Sequence, residues 1–108
     1  MISAVDLRDK IEEVHKPWSA IEVARANDQV IRIALFQGEY HWHKHTNEDE
    51  LFYVIKGLIV IQLESQAPLT LHEGQMAVIP KGVVHCPRSQ KPSYVMMFEP
   101  YVLRSCGD

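Results

Sequence analysis

The sequence predicts an all-β protein, a jelly-roll barrel (double-stranded β-helix) with a short N-terminal helix. Short apolar runs recur along most of the 108 residues, and glycine or proline bounds several of them. Nine segments fit short strands, a count typical of a jelly roll: residues 20–24, 30–36, 40–45, 51–55, 58–63, 69–71, 76–79, 83–86 and 94–98.

The helix is predicted over residues 4–14, because Leu7, Ile11 and Val14 recur at helical spacing. Ser3 is a candidate N-cap, and Pro17 ends the helix. A hydrophobic content of 46% over 108 residues suffices for one compact core. We therefore predict a single domain, with a helical arm (1–17), a barrel (18–100) and a tail (101–108).

Two histidines on the predicted strand 40–45 form the first half of a candidate metal site. Alternate side chains of a strand face the same side, so His43 and His45 point the same way with Cα atoms about 6.6 Å apart. Two imidazoles at that separation can converge on one ion. Glu50 follows a stretch of turn-forming residues, and a hairpin there would bring its carboxylate to face the histidines.

His41 would face the same side of the predicted strand as these two histidines. It therefore has three candidate roles: a metal ligand, a hydrogen-bond donor to a ligand, or a residue at the rim of the pocket. We assign it to the pocket, because a His41–His43 pair would require Glu48 as the acid. That pairing would break the spacing to the later glycine.

Glycines and a proline punctuate the later strands. Gly57 separates two apolar runs, which predicts a tight hairpin. Pro80 and Gly82 occupy the second and fourth positions of a predicted type I turn. The strand after that turn carries His85, so a third histidine would enter the barrel from a different strand.

These residues resemble the two motifs of the cupins. The first motif has His-x-His, glutamate after four intervening residues and glycine after six more, which here are His43, His45, Glu50 and Gly57. The second is similar to Gly74, Pro80, Gly82 and His85 with every spacing kept. Gly38 lies one residue closer to the first histidine than the usual motif places it, and Ser89 stands where asparagine often closes the second motif. The two motifs span residues 38–89, and the lengths of chain on either side suit a small single-domain cupin. The resemblance therefore covers nearly the whole chain and implies a cupin of that kind.

The resemblance implies that His43, His45, Glu50 and His85 hold one divalent ion. Nitrogen and oxygen donors without thiolate suit Fe, Mn, Ni, Co, Cu or Zn. Three neutral imidazoles and one carboxylate leave such a centre with one net positive charge, which attracts anionic or electron-rich oxygen ligands. Glu50 is also the candidate catalytic residue, as a proton acceptor. Phe36 and Phe52 are candidate pocket walls.

Two classes of function fit this site. The first is a metal-dependent enzyme acting on a small oxygen-bearing organic molecule, because cupins with similar ligands include dioxygenases, decarboxylases and sugar isomerases. The second is a barrel that binds or senses a small ligand without catalysis. The net charge of −3 and the scattered positions of the eleven Lys and Arg residues argue against a nucleic-acid partner.

Several expectations concern surfaces and compartment. The runs 51–55 and 58–61 are apolar on both faces, so something must cover the outer face, and we predict a homodimer. Short apolar runs argue against a membrane partner, and the first eighteen residues lack the apolar core of a signal peptide, so we expect a cytoplasmic protein. Cys86 and Cys106 have no metal or redox spacing.

Alternate residues of the predicted strand 94–98 face the same side of the sheet. Either Met96 and Phe98 or Val95 and Met97 therefore line the cavity, and the sequence leaves both alternatives open.

Overall fold

The computed structural model describes residues 2–108 and confirms both the all-β class and the short N-terminal helix. Its elements, in chain order, are α1 (Leu7–Ile11), β1 (Ile21–Ala26), β2 (Gln29–Glu39), β3 (Glu50–Lys56), β4 (Leu58–Leu63), β5 (Leu69–His72), β6 (Met76–Ile79) and β7 (His85–Pro100).

The longest strand, β7, pairs with three other strands of the barrel: β2, β3 and β4. The strand order is β1-β2-β7-β3-β6, and β4 pairs with both β5 and β7, all antiparallel. The first residues of β7 pair with β4, while its later residues run between β2 and β3. The predicted strands 83–86 and 94–98 are therefore two parts of one element, β7.

The helix is shorter than the predicted 4–14 and starts later. Asp6 is the N-cap, with its carboxylate accepting a hydrogen bond from the Arg8 N–H, so the prediction of Ser3 was wrong. Asp6 has the extended backbone that an N-cap requires. Val14 lies beyond the helix but is buried against Ile33 and Leu35.

The predicted strand 40–45 is absent from the described chain. Residues 40–49 form an irregular segment, here called the histidine segment, whose one ladder contact is an isolated antiparallel bridge between His43 and His85. An alternating pattern forms a regular strand only where a neighbouring strand satisfies its backbone hydrogen bonds. Turn-forming residues follow directly, and the segment bends around the site instead of crossing the sheet.

The apolar core lies between the inward faces of the strands. Val95 and Met97 point inward and are 0% and 5% exposed. Of the two alternatives that the sequence left open, this pair therefore faces the core. The central cluster comprises Ala34, Phe36, Phe52, Val54, Ile59, Ile61, Leu71, Ile79, Val95 and Met97. This cluster forms the floor beneath the candidate site.

The outer face is only partly covered within the described chain. Leu7 and Ile11 of α1 pack with Ile55 in a second cluster. Farther along the same sheet, Met76 and Val78 remain 58% and 53% exposed. None of the helices in residues 2–108 has the length and apolar character needed to cross a membrane.

Candidate metal centre

Two of the four candidate ligands begin regular strands. Glu50 is the first residue of β3 and pairs with Ile79 of β6. His85 is the first residue of β7 and pairs with Leu63 of β4. Their side chains are 5% and 0% exposed, so both are fixed by the ladder and by core packing.

The other two ligands lie in the histidine segment and are held to the second motif by backbone hydrogen bonds. The His43 N–H donates to the His85 carbonyl at 3.0 Å, and the His85 N–H donates to the His43 carbonyl at 2.9 Å. The Gly82 N–H donates to the His45 carbonyl at 2.8 Å. The turn that precedes His85 thus brings the two motifs together.

The four side chains converge on one point. Each of His43, His45, Glu50 and His85 offers one ligand atom, and all of these atoms lie within 4.8 Å of one another. Nε2 of His45 is 3.2 Å from Oε1 of Glu50, and Nε2 of His85 is 3.8 Å from the same oxygen. The arrangement could hold a metal ion.

Two backbone carbonyls determine which ring nitrogen carries the hydrogen in His43 and His85. Nδ1 of His43 lies 2.9 Å from the His41 carbonyl, and Nδ1 of His85 lies 2.9 Å from the Val83 carbonyl. A carbonyl oxygen can only accept, so each Nδ1 carries the hydrogen. In a neutral ring this leaves Nε2 with a free lone pair, which is the form that binds a metal.

Unsatisfied nitrogen atoms show that a metal fits these residues. Within residues 2–108, both ring nitrogens of His45 and Nε2 of His85 are buried without a hydrogen-bond partner. Leaving buried polar atoms unpaired costs about 1–3 kcal/mol each. Donors on opposite sides of an ion with bonds near 2.1 Å are about 4.2 Å apart. The 4.8 Å spread of the ligand atoms needs a small inward adjustment to match that distance.

The electrostatic setting favours a metal ion over protons. Burial lowers the pKa of His43 to about 4, so its ring is neutral at pH 7. Burial acts to raise the pKa of Glu50, but the adjacent imidazoles of His45 and His85 outweigh burial and hold that pKa well below its ordinary value. The site therefore presents a neutral imidazole at His43 and an ionised carboxylate at Glu50, the forms that ligate.

A second carboxyl group, which the sequence analysis missed, lies behind Glu50. Glu99 is 1% exposed, and its Oε2 accepts a hydrogen bond from Nη1 of Arg32 at 2.5 Å. Burial, then the neighbouring Glu50 carboxylate, raise the pKa of Glu99 to about 9 despite Arg32. Glu99 is therefore the protonated member of the two carboxyl groups at pH 7. Residues 95, 97 and 99 face the same side of a strand, so the inward orientation of Val95 and Met97 was the sequence signal that could have located Glu99.

A small apolar cavity adjoins the candidate ligands. Its volume is about 40 Å³, which by the same measure is room for about three water molecules. The lining residues are Trp18, Ala20, Ala34, Phe36, Tyr40, His43, Glu50, Phe52, Pro87, Met97 and Ser105. Phe36 and Phe52, the predicted pocket walls, both contribute to it.

Three aromatic rings form one wall of this cavity. The Trp18 ring lies 4.5 Å from that of Phe36 and 4.8 Å from that of Tyr40, between centroids. The Trp18 indole N–H donates to the Gln37 carbonyl at 3.0 Å, so the ring presents its apolar face. Trp18 has a φ of 65°, an unusual backbone conformation for a bulky residue. Its place directly after Pro17 gave no signal of this role.

His41 lies at the rim rather than on the cavity wall. It is exposed, and its Nε2–H donates to the Cys106 carbonyl at 3.0 Å. Its ring packs on Tyr40 at 3.9 Å between centroids. Cys86 is fully buried, and burial raises the pKa of its thiol, as expected for a packing residue.

Comparison with known families agrees with this geometry. The family model described as "Cupin domain" matches residues 33–100, which include all four candidate ligands. The chain belongs to the cupin family. This cupin is 37% identical over 89 residues to the uncharacterized protein YdbB of Bacillus subtilis (strain 168), covering 82% of this chain and 76% of YdbB.

Solved structures extend the comparison. A cupin-2 domain containing protein from Shewanella frigidimarina is 35% identical, with a TM-score of 0.85 over 89% of this cupin and 93% of that chain. The hydroquinone 1,2-dioxygenase PnpCD, solved in complex with Fe³⁺, is 17% identical with a TM-score of 0.72. That likeness covers 80% of this cupin and 28% of the dioxygenase chain, and it shows a shared fold.

Proposed function

We propose that this cupin is a metal-dependent enzyme acting on a small oxygen-bearing organic molecule. His43, His45, Glu50 and His85 would hold one divalent transition metal ion. The observation that carries the proposal is the convergence of four donor atoms within 4.8 Å, with buried imidazole nitrogens that lack partners within residues 2–108. The hydroquinone 1,2-dioxygenase PnpCD, which shares the fold, was solved with Fe³⁺, and this supports the metal assignment at the level of the fold.

The donor set limits the metal and its chemistry. Imidazole and carboxylate ligands suit Fe, Mn, Ni, Co, Cu or Zn, and affinity order does not choose among them. When bound, such an ion supplies a Lewis acid with open positions for an oxygen donor or for dioxygen. The reaction classes we favour are therefore those of a dioxygenase, a decarboxylase or an isomerase.

The cavity wall limits the substrate. Its lining in the described chain contains aromatic, aliphatic and proline side chains but neither lysine nor arginine. A substrate with several negative charges would have no cationic side chain to bind there. We therefore favour a small neutral or singly charged molecule that faces the metal with its oxygen atoms and the aromatic wall with its carbon atoms.

Glu50 is the residue we assign to proton transfer. Its Oε1 lies 3.2 Å from Nε2 of His45 and 3.8 Å from Nε2 of His85, and these imidazoles, with Glu99, hold the pKa of Glu50 well below its ordinary value. Loss of its contact with the metal during turnover would free an oxygen to accept a substrate proton. Tyr40 is the other titratable side chain on the cavity wall besides His43 within the described residues.

The cavity also favours a second function, a barrel that binds or senses a small ligand without catalysis. Its volume of about 40 Å³ accommodates a group of only a few atoms. Among the described residues that line the cavity, Tyr40 is the one acid–base group that is not a candidate ligand. Burial raises the pKa of Tyr40. A site with so few groups for proton transfer suits binding as well as reaction.

Metal content tests the proposal first. Untagged protein, as purified and after addition of Fe²⁺, Mn²⁺ or Zn²⁺, should contain about one ion per chain by elemental analysis. His45→Ala should lose that ion. His72→Ala is the matched control, because His72 is an exposed histidine on β5, and it should keep the ion.

Turnover then separates the two functions. The loaded protein would be screened against small hydroxy, keto and carboxylate compounds with and without dioxygen, beside Glu50→Gln. Turnover that Glu50→Gln lacks supports the enzyme. Binding of a compound without turnover favours the binding barrel. Absence of metal after addition would contradict the metal-dependent enzyme and favour the binding barrel.

A further inference from the structure

Residues 105–108, here called the C-terminal strap, lie along the histidine segment. The Asp108 N–H donates to the Lys44 carbonyl at 3.0 Å, and the Thr46 N–H donates to Oδ2 of Asp108 at 2.6 Å. The Cys106 carbonyl accepts from the His41 ring at 3.0 Å. The strap therefore bonds to residues on both sides of His43 and His45.

Gly107 brings the strap into contact with a candidate ligand. A Cβ atom at Gly107 would lie 2.7 Å from Cβ of His43 and 3.0 Å from the Lys44 carbonyl oxygen. Gly107 also has a φ of 89°, which disfavours any residue with a side chain. The close approach of strap to histidine thus depends on glycine at this position.

The strap is anchored where it leaves the barrel. Arg32, the partner of Glu99, also donates to the Tyr101 carbonyl at 3.0 Å and to the Leu103 carbonyl at 3.2 Å. Leu103 is 3% exposed, so its side chain is packed in the fold. A segment fixed at this end and bonded at the other can transmit a restraint to the histidines.

The histidine segment needs such a restraint. His43 makes one isolated bridge to His85, and residues 40–49 before Glu50 belong to none of the strands of the described chain. A ligand must be held within about 0.5 Å of its productive position to bind a metal well. The bridge and the Gly82 contact hold the segment from the side of the second motif, and the strap holds it from the other.

We propose that the C-terminal strap positions His43 and His45 for metal binding, with Gly107 and Asp108 as positioning residues. The inference rests on the proposed function. Because the strap acts through the two histidines, disturbing it should change the geometry and affinity of the bound metal while the barrel stays folded.

Cobalt(II) titration of the protein, residues 1–108, tests this. Gly107→Ala should weaken Co²⁺ binding tenfold or more and shift the visible ligand-field spectrum of the bound ion. Gly74→Ala is the matched control, because Gly74 has a φ of 84° and, in the described chain, no atom within 4 Å of an added Cβ. It introduces the same backbone strain without touching the histidines, so its Co²⁺ affinity and spectrum should match those of the wild type.

Asp108→Ala is a second test that does not introduce backbone strain. It removes the carboxylate that accepts from the Thr46 N–H, and it should weaken Co²⁺ binding about threefold to tenfold. This variant also decides the matter if Gly107→Ala fails to fold. Unchanged affinity and an unchanged spectrum in Asp108→Ala and in any folded Gly107→Ala would overturn the inference while the metal site stands. Failure of the wild type to bind Co²⁺ would instead overturn the proposed function, and the inference with it.

Discussion

Glu50 and His85 begin regular strands, whereas His43 and His45 lie in an irregular segment between β2 and β3. The first pair is 5% and 0% exposed and is fixed by ladders to β6 and β4. The second pair is held by a single bridge to His85, by Gly82 and by the C-terminal strap. Both pairs offer ligand atoms to the same point, but their supports differ.

This difference separates two requirements of a metal site. Strand-borne ligands are positioned by the same packing that stabilises the fold, so changing them disturbs both. Ligands on an irregular segment depend on a few local contacts, which can be altered with little effect on the core. The comparison predicts distinct responses to mutation in the two halves of the site.

The largest expected effect is the loss of His85. His85→Ala removes a metal ligand and a fully buried ring, and the resulting cavity should lower the free energy of unfolding of the metal-free protein by about 3 kcal/mol. His43→Ala removes a ligand whose ring is partly exposed, so metal should be lost with a cost of about 1 kcal/mol. Urea unfolding with added chelator measures both values. Equal costs for the two variants would contradict the difference between strand-borne and segment-borne ligands.

A pH-dependent effect on stability, without loss of a candidate ligand, is expected from Glu99→Gln and tests how Glu50 is supported. The pKa of Glu99 rises from 4.5 to about 9 in the folded chain, so the folded state binds more protons between those values. The stability contributed by this group is present below about pH 4.5 and is lost as the pH rises towards 9. Glutamine does not titrate, so the variant should lack that loss.

Urea unfolding of metal-free wild type and Glu99→Gln at pH 5, 7 and 9 checks the sign. The wild type should lose stability relative to the variant as the pH rises. If Arg32 instead keeps Glu99 ionised, the difference between the two proteins would stay constant over this range. That result would remove the protonated partner that we assign to Glu50.

The smallest effect on the metal is expected from the outer face of the sheet, opposite the face that carries Glu50 and Phe52. Val78 and Phe98 both pair with Leu51, and they are 53% and 37% exposed. The homodimer predicted from the sequence would cover this apolar face with a second copy. Val78→Glu should then reduce the mass in light scattering to that of one 12.4 kDa chain without changing metal content.

Thr70→Glu is the control for this change, because Thr70 is an exposed strand residue on β5. It should leave the mass at that of a dimer. A monomeric wild type would contradict the predicted homodimer. Loss of metal in Val78→Glu would contradict the separation between the outer face and the site.

The sequence predicted which four side chains meet better than the way in which they are held. Spacing between glycines, histidines and Glu50 identified which side chains meet, because hairpins and turns leave local signals. The predicted strand 40–45 was wrong because alternation alone does not show whether a partner strand is present. The strap and the Arg32–Glu99 pair arise from contacts between residues about 60 or more positions apart, which no local pattern reports.

X-ray absorption spectroscopy of the metal-loaded protein tests the central claim most directly. The account predicts a single kind of site, with scattering from three imidazole rings and at least one oxygen ligand. His72→Ala should give the same spectrum, and His43→Ala should lose the ion or show fewer imidazoles. A wild-type spectrum with fewer than two imidazoles would contradict the claim that the strand-borne and segment-borne ligands hold one ion together.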